Sequence, residues 1–331
     1  MKPDSLSVFL EQYITLNHAI TGASSDSEDH RRRDLGRRRY KGNLLRNFFG
    51  FWSERGQPWP ITSALAIDWV SEGSNPGQPH RDRHRMFAIR GFLEHLRAAE
   101  PATEVPENIF RKPPRRTPRL LSEQEIVRLM EAPGQLRRVD PFRRLTLSTL
   151  LGLLASTGLR IGEALRLKNE DAHLDTDPPY LAIHESKFGK SRIVVLHASA
   201  ADRLRDYATQ KKTVLATRSV EAFFASRVGR PLCYNQTRIT FRRLVNHAGI
   251  TSHHGERAVT LHSLRHSFVV RRLTAWHRAE KNVQELLPHL SVYLGHTDPK
   301  DTYWYVTATP ELLEAASVLF EVHHRKGASK P

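Results

Sequence analysis

The sequence predicts a mainly α-helical protein with a small antiparallel β-sheet or hairpin, divided into two domains. Three observations support this fold class. Apolar residues recur at helical spacing along most of the chain, two β-prone runs at 180–185 and 191–197 flank a turn, and a stretch rich in Pro and Arg at 101–119 interrupts the helical pattern. The length of 331 residues also suits about two domains that each bury a core.

The first domain, residues 1–105, is predicted to be a bundle of about four helices. Residues 6–20 carry apolar side chains at helical spacing, and a polar loop and a basic, aromatic stretch follow them. Thr62 or Ser63 is suited to begin a further helix. Residues 81–100 form the clearest amphipathic pattern, with arginines on the faces away from the apolar stripe.

Residues 106–119 are predicted to form an extended basic linker, because their prolines cannot continue a helix. The second domain follows at 120–322, and residues 323–331 are expected to be a disordered tail. Ser122 with Glu125 three residues later forms a capping-box pattern, which predicts a helix start just after the linker.

Three features argue against a membrane or secreted protein. The most apolar run, 145–159, is too short to span a bilayer and carries hydroxyls and glycines, so it is predicted to be a buried core helix. The N-terminal residues have an early acid and no continuous apolar core, which is unlike a signal peptide. Cys233 is the only cysteine, which excludes a disulfide framework and a cysteine-based zinc site. We therefore expect a cytoplasmic protein with no membrane partner.

The charge of the chain predicts a polyanionic partner. Lys and Arg number 51 against 35 Asp and Glu, a net charge of +16. The excess is present in both halves, with 20 basic and 14 acidic side chains in residues 1–119 and 31 and 21 in residues 120–331. The basic side chains predicted to contact phosphates are Arg31, Arg32, Arg37, Arg38, Lys41, Arg81, Arg85, Arg115 and Arg116.

Residues 156–167, STGLRIGEALRL, place an arginine at the start of a predicted helix. A glycine turn precedes Arg160, and Glu163 lies one turn after it. Taken alone, the two residues could simply form an i,i+3 ion pair on a surface helix.

Residues 261–273, LHSLRHSFVVRRL, place histidine and arginine on another predicted helix. His262 and Arg265 are three residues apart and share a helical face, which His266 can also share with His262. Taken alone, this could be a solvated basic helix. A zinc-binding helix is disfavoured because the His-Glu-x-x-His arrangement and nearby carboxylates are missing.

The stretch YLGHTDPKDTYWYV, residues 293–306, raises the question of a reactive tyrosine. A phenol has a pKa near ~10 and is a poor nucleophile unless it is activated. Tyr303 and Tyr305 flank Trp304, and two residues are separated by about 200° around a helix. The two phenols are therefore expected to face opposite ways, so that one can react while the other packs.

Four motifs, in chain order, resemble those of the tyrosine recombinase family, which includes the phage integrases. They are TGLRIGEALRL, the turn SKFGK, LRHSF, and LGH with a tyrosine nine residues after its histidine. The resemblance covers residues 120–320, and the upstream helical domain resembles that family's core-binding domain. It implies a helical core-binding domain followed by a mixed α/β catalytic domain. One departure is that the stretch from Arg265 to His296 is longer than is common in the family.

The resemblance implies roles for the residues at the matching positions. Tyr305 matches the nucleophile, Glu163 matches a supporting acid that orients the arginine region, and Lys187 is preferred to Lys190 as the catalytic lysine. The full predicted catalytic set is Arg160, Lys187, His262, Arg265, His296 and Tyr305.

This set of residues suits phosphodiester transfer. Two guanidiniums can bind the non-bridging oxygens bidentately and remain charged. His262 is the predicted acceptor of the Tyr305 proton, and Lys187 the predicted acid for the leaving 5′-oxygen. The resulting 3′-phosphotyrosine would store the bond energy, so that no ATP is needed. Because the sequence has no cluster of carboxylates of the two-metal type, chemistry without a metal or other cofactor is expected.

The sequence therefore predicts a site-specific DNA recombinase, an integrase or transposase of a mobile element, that acts on duplex DNA in the bacterial nucleoid. The resemblance implies a C-shaped clamp on DNA and a homotetramer on paired sites, formed from a monomer or weak oligomer, with accessory recombinases as a further option. Two alternatives are open: a DNA-relaxing enzyme of the type IB topoisomerase kind, and a catalytically silent DNA-binding relative.

Overall fold

The computed structural model describes residues 5–20, 28–75, 79–107, 109–110, 117–136, 139–184, 191–216, 218–252, 257–296 and 298–308. The chain divides into two compact units, Met1–Arg116 and Thr117–Pro331. Helices dominate both units, and a small antiparallel sheet lies in the second, so the predicted fold class is confirmed.

The first unit is a helical bundle. Its helices within the described residues are α1 (Leu6–Ile20), α2 (Glu28–Glu54), α3 (Ser63–Glu72) and α4 (Pro79–Ala99). Their apolar faces meet in one core around the buried side chains of Phe48, Trp52 and Trp69. Helix α3 begins where the sequence predicts, because the Thr62 hydroxyl accepts a hydrogen bond from the Leu65 N–H at 3.3 Å.

The second unit is built around α6. Its helices within the described residues are α5 (Glu123–Gln135), α6 (Pro141–Thr157), α7 (Ile161–Arg166), α8 (Ala198–Val214), α9 (Tyr234–His247), α10 (Leu261–Arg278), α11 (Val283–Leu294) and α12 (Lys300–Ala308). The predicted buried helix over 145–159 falls on α6, where Leu150 and Leu154 are fully buried. The predicted capping box of Ser122 and Glu125 is present at the start of α5.

The sheet has three strands, β1 (Ala172–His173), β2 (Tyr180–Ile183) and β3 (Arg192–Val195), in the order β1-β2-β3. The predicted hairpin is the antiparallel pair β2–β3, with Ile183 opposite Arg192 at its turn end. Strand β1 was not predicted, because two residues are too few to show the alternation that identifies a strand.

The long stretch between Arg265 and His296 is made of the C-terminal part of α10, a short connection and α11. Helix α10 continues to Arg278, and α11 begins at Val283 after Asn282, whose side chain accepts hydrogen bonds from the next turn. The predicted tail, residues 323–331, lies outside the described residues. In the part of the chain that the structure describes, no helix is both long enough and apolar enough to cross a membrane.

Candidate active site

The N-terminus of α7 holds an arginine in a fixed position. Glu163 accepts the Arg160 backbone N–H at 2.9 Å with Oε2 and an Arg160 guanidinium N–H at 2.8 Å with Oε1. The same guanidinium donates to the carbonyl of Gly295 at 2.9 Å, at the end of α11. The Arg160 side chain keeps 25% of its surface exposed, so it is both oriented and accessible.

Arg192 is a second cation on Glu163. Its guanidinium donates to the two carboxylate oxygens at 3.2 and 2.9 Å, and its Nε donates to the carbonyl of Tyr293 at 2.7 Å. Burial alone would raise the pKa of Glu163, but hydrogen bonding and charge from Arg192 and Arg160 outweigh it and lower the pKa to about 2. Glu163 is therefore ionised and clamps two arginines from different elements.

Arg265 on α10 is almost completely enclosed, with 1% of its surface exposed. Its two terminal nitrogens donate to the carbonyls of Gly158, at 2.7 Å, and Leu294, at 2.8 Å. These carbonyls end α6 and α11, where the helix dipoles favour a cation. Burial, and then the charge of Arg160, lowers the pKa of Arg265 to about 9. A bound anion would relieve this unfavourable environment.

Two glycines make these helix ends possible. Gly158 and Gly295 adopt left-handed backbone conformations, with φ of 65° and 68°, which favour glycine. A Cβ atom on Gly158 would lie 2.5 Å from the Phe268 ring, and one on Gly295 would lie 2.7 Å from the Arg192 guanidinium. The glycines therefore allow the arginines to approach the backbone closely.

The two predicted catalytic histidines lie beside these arginines. His296 is half-buried, and its Nδ1 is 2.7 Å from the hydroxyl of the buried Thr302 on α12. Burial, and then the charges of Arg265 and Arg160, lowers the pKa of His296 to about 3. The same causes in the same order lower the pKa of His262 to about 4, although its side chain is open to solvent. Both histidines are therefore neutral near pH 7.

Helix α12 points its two tyrosines in opposite directions, as the spacing predicts. Tyr305 has 3% of its surface exposed and packs in the apolar cluster between α10 and α11. Tyr303 has 44% exposed, so the prediction that it packs is wrong. The reason is that the core-facing side of α12 is the side that carries Tyr305 and Thr302. The Tyr305 hydroxyl lies 2.5 Å from Nδ1 of His266 and close enough to Arg265 for their charges to interact.

Both candidate lysines lie outside the described residues, between the strands of the β2–β3 hairpin. The second strand of the hairpin nevertheless begins at this site, because Arg192 is the first residue of β3 and binds Glu163. Lys187 is five residues from Arg192, a chain length that spans at most ~17 Å. The choice between Lys187 and Lys190 as the catalytic lysine stays a prediction.

The nine predicted phosphate-contacting side chains differ in their surroundings. Arg81 is exposed, whereas Arg38 and Lys41 are half-buried, and Lys41 donates to the Tyr13 hydroxyl at 3.0 Å. The side chains that lie outside the description are those of Arg31, Arg32, Arg37, Arg115 and Arg116.

Arg85 does not fit the predicted contact. It is 6% exposed, its guanidinium lies 4.0 Å from the centre of the Trp69 ring, and it donates to the Trp69 carbonyl. The prediction placed the arginines of α4 away from the apolar stripe, but Arg85 lies on the buried side next to Met86. Its charge is used in packing the helical unit.

Sequence reasoning missed two residues of this site. Arg192 was treated only as part of a β-prone run, and its long-range pairing with Glu163 has no local signal. His266 was noted for sharing a face with His262, yet its contact with Tyr305 joins α10 to α12 across 39 positions of the chain. Among the described residues, no group of three or more His, Cys, Asp or Glu side chains is placed to hold a metal ion.

The cluster can bind an anion and offer it a nucleophile. Three guanidiniums, those of Arg160, Arg192 and Arg265, converge around Glu163, so their positive charge exceeds its negative charge. A phosphodiester would balance this excess and would accept the planar guanidinium donors in pairs. Tyr305 lies at the edge of the same cluster.

Comparisons with known proteins identify the family of the chain. The model of the phage integrase family matches residues 119–311. A Sinorhizobium fredii protein named "Putative integrase/recombinase y4rB" is 38% identical over 266 residues, which cover 77% of this chain and 82% of that protein.

Two solved structures share the fold. The XerH site-specific recombinase bound to a palindromic difH substrate, in a post-cleavage complex, matches with a TM-score of 0.71 and 17% identity over 96% of this chain and 97% of that chain. A lambda integrase tetramer bound to a Holliday junction matches with a TM-score of 0.62 and 17% identity over 92% of this chain and 80% of that chain.

Proposed function

The chain belongs to the phage integrase family, and we propose that it cuts and rejoins duplex DNA through a covalent bond between a 3′-phosphate and Tyr305. Its family makes it a site-specific recombinase of the tyrosine type. The observation that carries the chemical proposal is the convergence of four residues: Arg160 just before α7, Arg265 on α10, His296 just after α11, and Tyr305 on α12.

The arginines would bind the scissile phosphate. Two of the five N–H donors of Arg265 are used by backbone carbonyls, which fixes the plane of the guanidinium and leaves up to three donors for a phosphate. Arg160 is fixed in the same way by Glu163 and Gly295. Donors that are oriented before the reaction stabilise the five-coordinate transition state without reorganising. The neutral imidazoles of His262 and His296 would add N–H donors to the same oxygens.

The reaction would conserve the phosphodiester energy. The Tyr305 oxygen attacks phosphorus, the bond from phosphorus to the 5′-oxygen breaks, and the leaving oxygen takes a proton from Lys187, with Lys190 as the alternative. A 5′-hydroxyl of another strand then attacks the phosphotyrosine and releases Tyr305. No nucleotide cofactor is consumed in either step, because each broken ester bond is replaced by a new one.

The assembly is proposed from the related structures. XerH and lambda integrase were crystallised with DNA, the latter as a tetramer on a Holliday junction. We infer that both units of this chain bind duplex DNA, with the basic residues 106–119 between them, and that four copies join two DNA sites. Accessory recombinases are a further partner in this proposal. We also propose that the chain is an integrase or transposase of a mobile element; the Sinorhizobium relative is named an integrase/recombinase.

Covalent capture on DNA tests the proposal for any target sequence. A library of nicked duplexes with randomised arms is incubated with the protein, and DNA that stays attached in detergent is recovered and sequenced. We expect an adduct whose peptide carries the phosphate on Tyr305. Tyr305→Phe should abolish the adduct because the attacking oxygen is gone, and its matched control Tyr303→Phe should retain it.

Two outcomes would contradict the proposal. An adduct that survives in Tyr305→Phe, or one mapped to Tyr303, would remove Tyr305 from the reaction. Wild-type protein that binds a specific duplex without forming any adduct would indicate a catalytically silent DNA-binding protein.

A further inference from the structure

His266 contacts the hydroxyl of Tyr305. Its Nδ1 lies 2.5 Å from the phenol oxygen, and the two ring centres are 5.5 Å apart. His266 lies on α10, directly after Arg265, whereas Tyr305 lies on α12. The packing of Tyr305 between α10 and α11 holds the phenol at this contact, so the distance follows from the fold of two helices.

His262, one turn earlier on α10, has a different environment. Its ring centre lies 4.4 Å from that of His266, at an interplanar angle of 77°. Desolvation, and then the charges of Arg265 and Arg160, lowers the pKa of His262 to about 4 and opposes its protonation. A neutral His262 therefore suits the role of a hydrogen-bond donor to a phosphate better than that of an acceptor of a phenol proton.

We propose that His266 is the catalytic base that takes the proton of Tyr305, in place of His262. The proposal rests on the proposed function, because it assigns a role within the same phosphotyrosine reaction. To act as this base, His266 must be neutral with its proton on Nε2, so that the Tyr305 O–H donates to the lone pair of Nδ1. His262 is thereby assigned to the phosphate.

The proton balance of the step is complete. As the Tyr305 oxygen bonds to phosphorus, its proton moves to Nδ1 of His266, which becomes an imidazolium. The bond from phosphorus to the 5′-oxygen breaks, and that oxygen receives a proton from Lys187. In the rejoining step the imidazolium returns its proton to the departing Tyr305 oxygen, while the attacking 5′-hydroxyl gives its proton to Lys187. No electrons are transferred and no further reactant is needed.

Asparagine separates proton transfer from positioning. The Oδ1 atom of His266→Asn can occupy the place of Nδ1 and accept the same hydrogen bond, but an amide does not take up a proton near neutral pH. We expect single-turnover adduct formation on a captured nicked duplex to slow by ~10²–10⁴-fold, the usual size of acid–base catalysis. DNA affinity and the melting temperature should stay near wild type. The exposed His289→Gln on α11 is the matched control and should react normally.

Two chemical probes identify the direction of proton transfer. A duplex with a 5′-bridging sulfur needs no acid for its leaving group, so it should leave the defect of His266→Asn unchanged. Conversely, 3,5-difluorotyrosine at position 305 is a more acidic phenol that needs less help from a base. With this residue, the rate difference between wild type and His266→Asn should become at least ~10-fold smaller, which is within the usual size of acid–base catalysis. The same pair of probes applied to His262→Asn serves as the comparison.

Each remaining result contradicts the assignment. Normal or faster adduct formation by His266→Asn would show that His266 only positions or restrains Tyr305. Rescue by the bridging sulfur would make His266 an acid, and a defect relieved by difluorotyrosine only in His262→Asn would return the role of base to His262. Wild-type protein that forms no Tyr305 adduct would instead contradict the proposed function itself.

Discussion

A buried arginine lies in each unit of the molecule, and the two are held in different ways. In the helical unit, the Arg85 guanidinium lies 4.0 Å from the centre of the Trp69 ring and packs against Gly73. In the second unit, Arg265 is held by two carbonyls at the ends of α6 and α11. Arg85 is thus covered by an aromatic face, whereas Arg265 is held by two backbone carbonyls and lies near other charged residues.

The difference teaches that burial alone does not identify a functional arginine. Both side chains are less than a tenth exposed, and burial lowers the pKa of both. What separates them is the set of neighbours. Arg265 shares its surroundings with Arg160, Glu163 and Tyr305, all of which interact with its charge. A cation in that company gains from a bound phosphate, while a cation against tryptophan is already accommodated.

Among the tests of this comparison, the largest effect on the adduct rate is expected from exchanging Arg265 for lysine. Arg265→Lys keeps a positive charge but loses the planar fork that spans Gly158 and Leu294. Covalent adduct formation should fall at least ~10²-fold, the scale of losing one oriented donor. DNA binding should survive, because most of its free energy comes from phosphate contacts elsewhere. Single-turnover rates and binding isotherms on one captured duplex measure both.

Arg85→Lys is the matched control for that experiment. Its adduct rate should equal that of wild type once the fraction of folded protein is taken into account. If Arg85→Lys loses the reaction and Arg265→Lys keeps it, the assignment of the two arginines is reversed.

A smaller effect on the adduct rate is expected from changing Glu163, the carboxylate that lies near Arg265. Glu163→Gln removes the charge that orients Arg160 and Arg192, so the adduct rate should fall ~10–10²-fold through misplacement of donors. The pKa of Glu163 is lowered from 4.5 to about 2 by folding. A lowered carboxyl pKa stabilises the folded state above the unfolded pKa, and this stability is lost as the pH falls toward the folded pKa.

The shift corresponds to a contribution on the order of 3 kcal/mol at neutral pH. Urea unfolding at a series of pH values measures it. The stability difference between wild type and Glu163→Gln should shrink as the pH falls from about 4.5 toward 2, because protonation makes the wild-type side chain neutral as well. A difference that stays constant across this range would show that Glu163 is not held in its ionised form by its arginines.

Local patterns were sufficient for most of the fold. The helical spacing of 6–20, the caps at Thr62 and Ser122, and the β-prone runs of the hairpin all act over a few residues. The opposite faces of Tyr303 and Tyr305 follow from the helical repeat alone. What the repeat cannot show is which face meets the core, since that depends on the helices α10 and α11 that pack against α12.

The missed features of the site are long-range. Glu163 and Arg192 are 29 positions apart, and His266 and Tyr305 are 39 positions apart, so only the tertiary fold brings each pair together. Arg85 was misjudged for a related reason. An arginine on the border of an apolar stripe can reach solvent or fold back onto a ring, and the choice depends on Trp69 from another helix.

The smallest effects on adduct formation are expected from substitutions on α4, and these substitutions test the roles of the arginines in the helical unit. Arg81 and Arg85 are one turn apart on this helix, but Arg81 is exposed and Arg85 is buried. Arg81→Gln should leave stability within about 0.5 kcal/mol of wild type. If Arg81 contacts a phosphate, the variant should bind every duplex more weakly and reduce the slope of affinity against salt by about 1.

Arg85→Met should instead lower stability and leave DNA binding unchanged. It removes the cation above Trp69 and leaves the buried Asp82 without that neighbouring charge, so it should cost about 1–3 kcal/mol of unfolding free energy. Its salt slope should be unchanged. A lower salt slope in Arg85→Met with unchanged stability would mean that Arg85 leaves Trp69 and binds DNA, and the contrast between the two buried arginines would then fail.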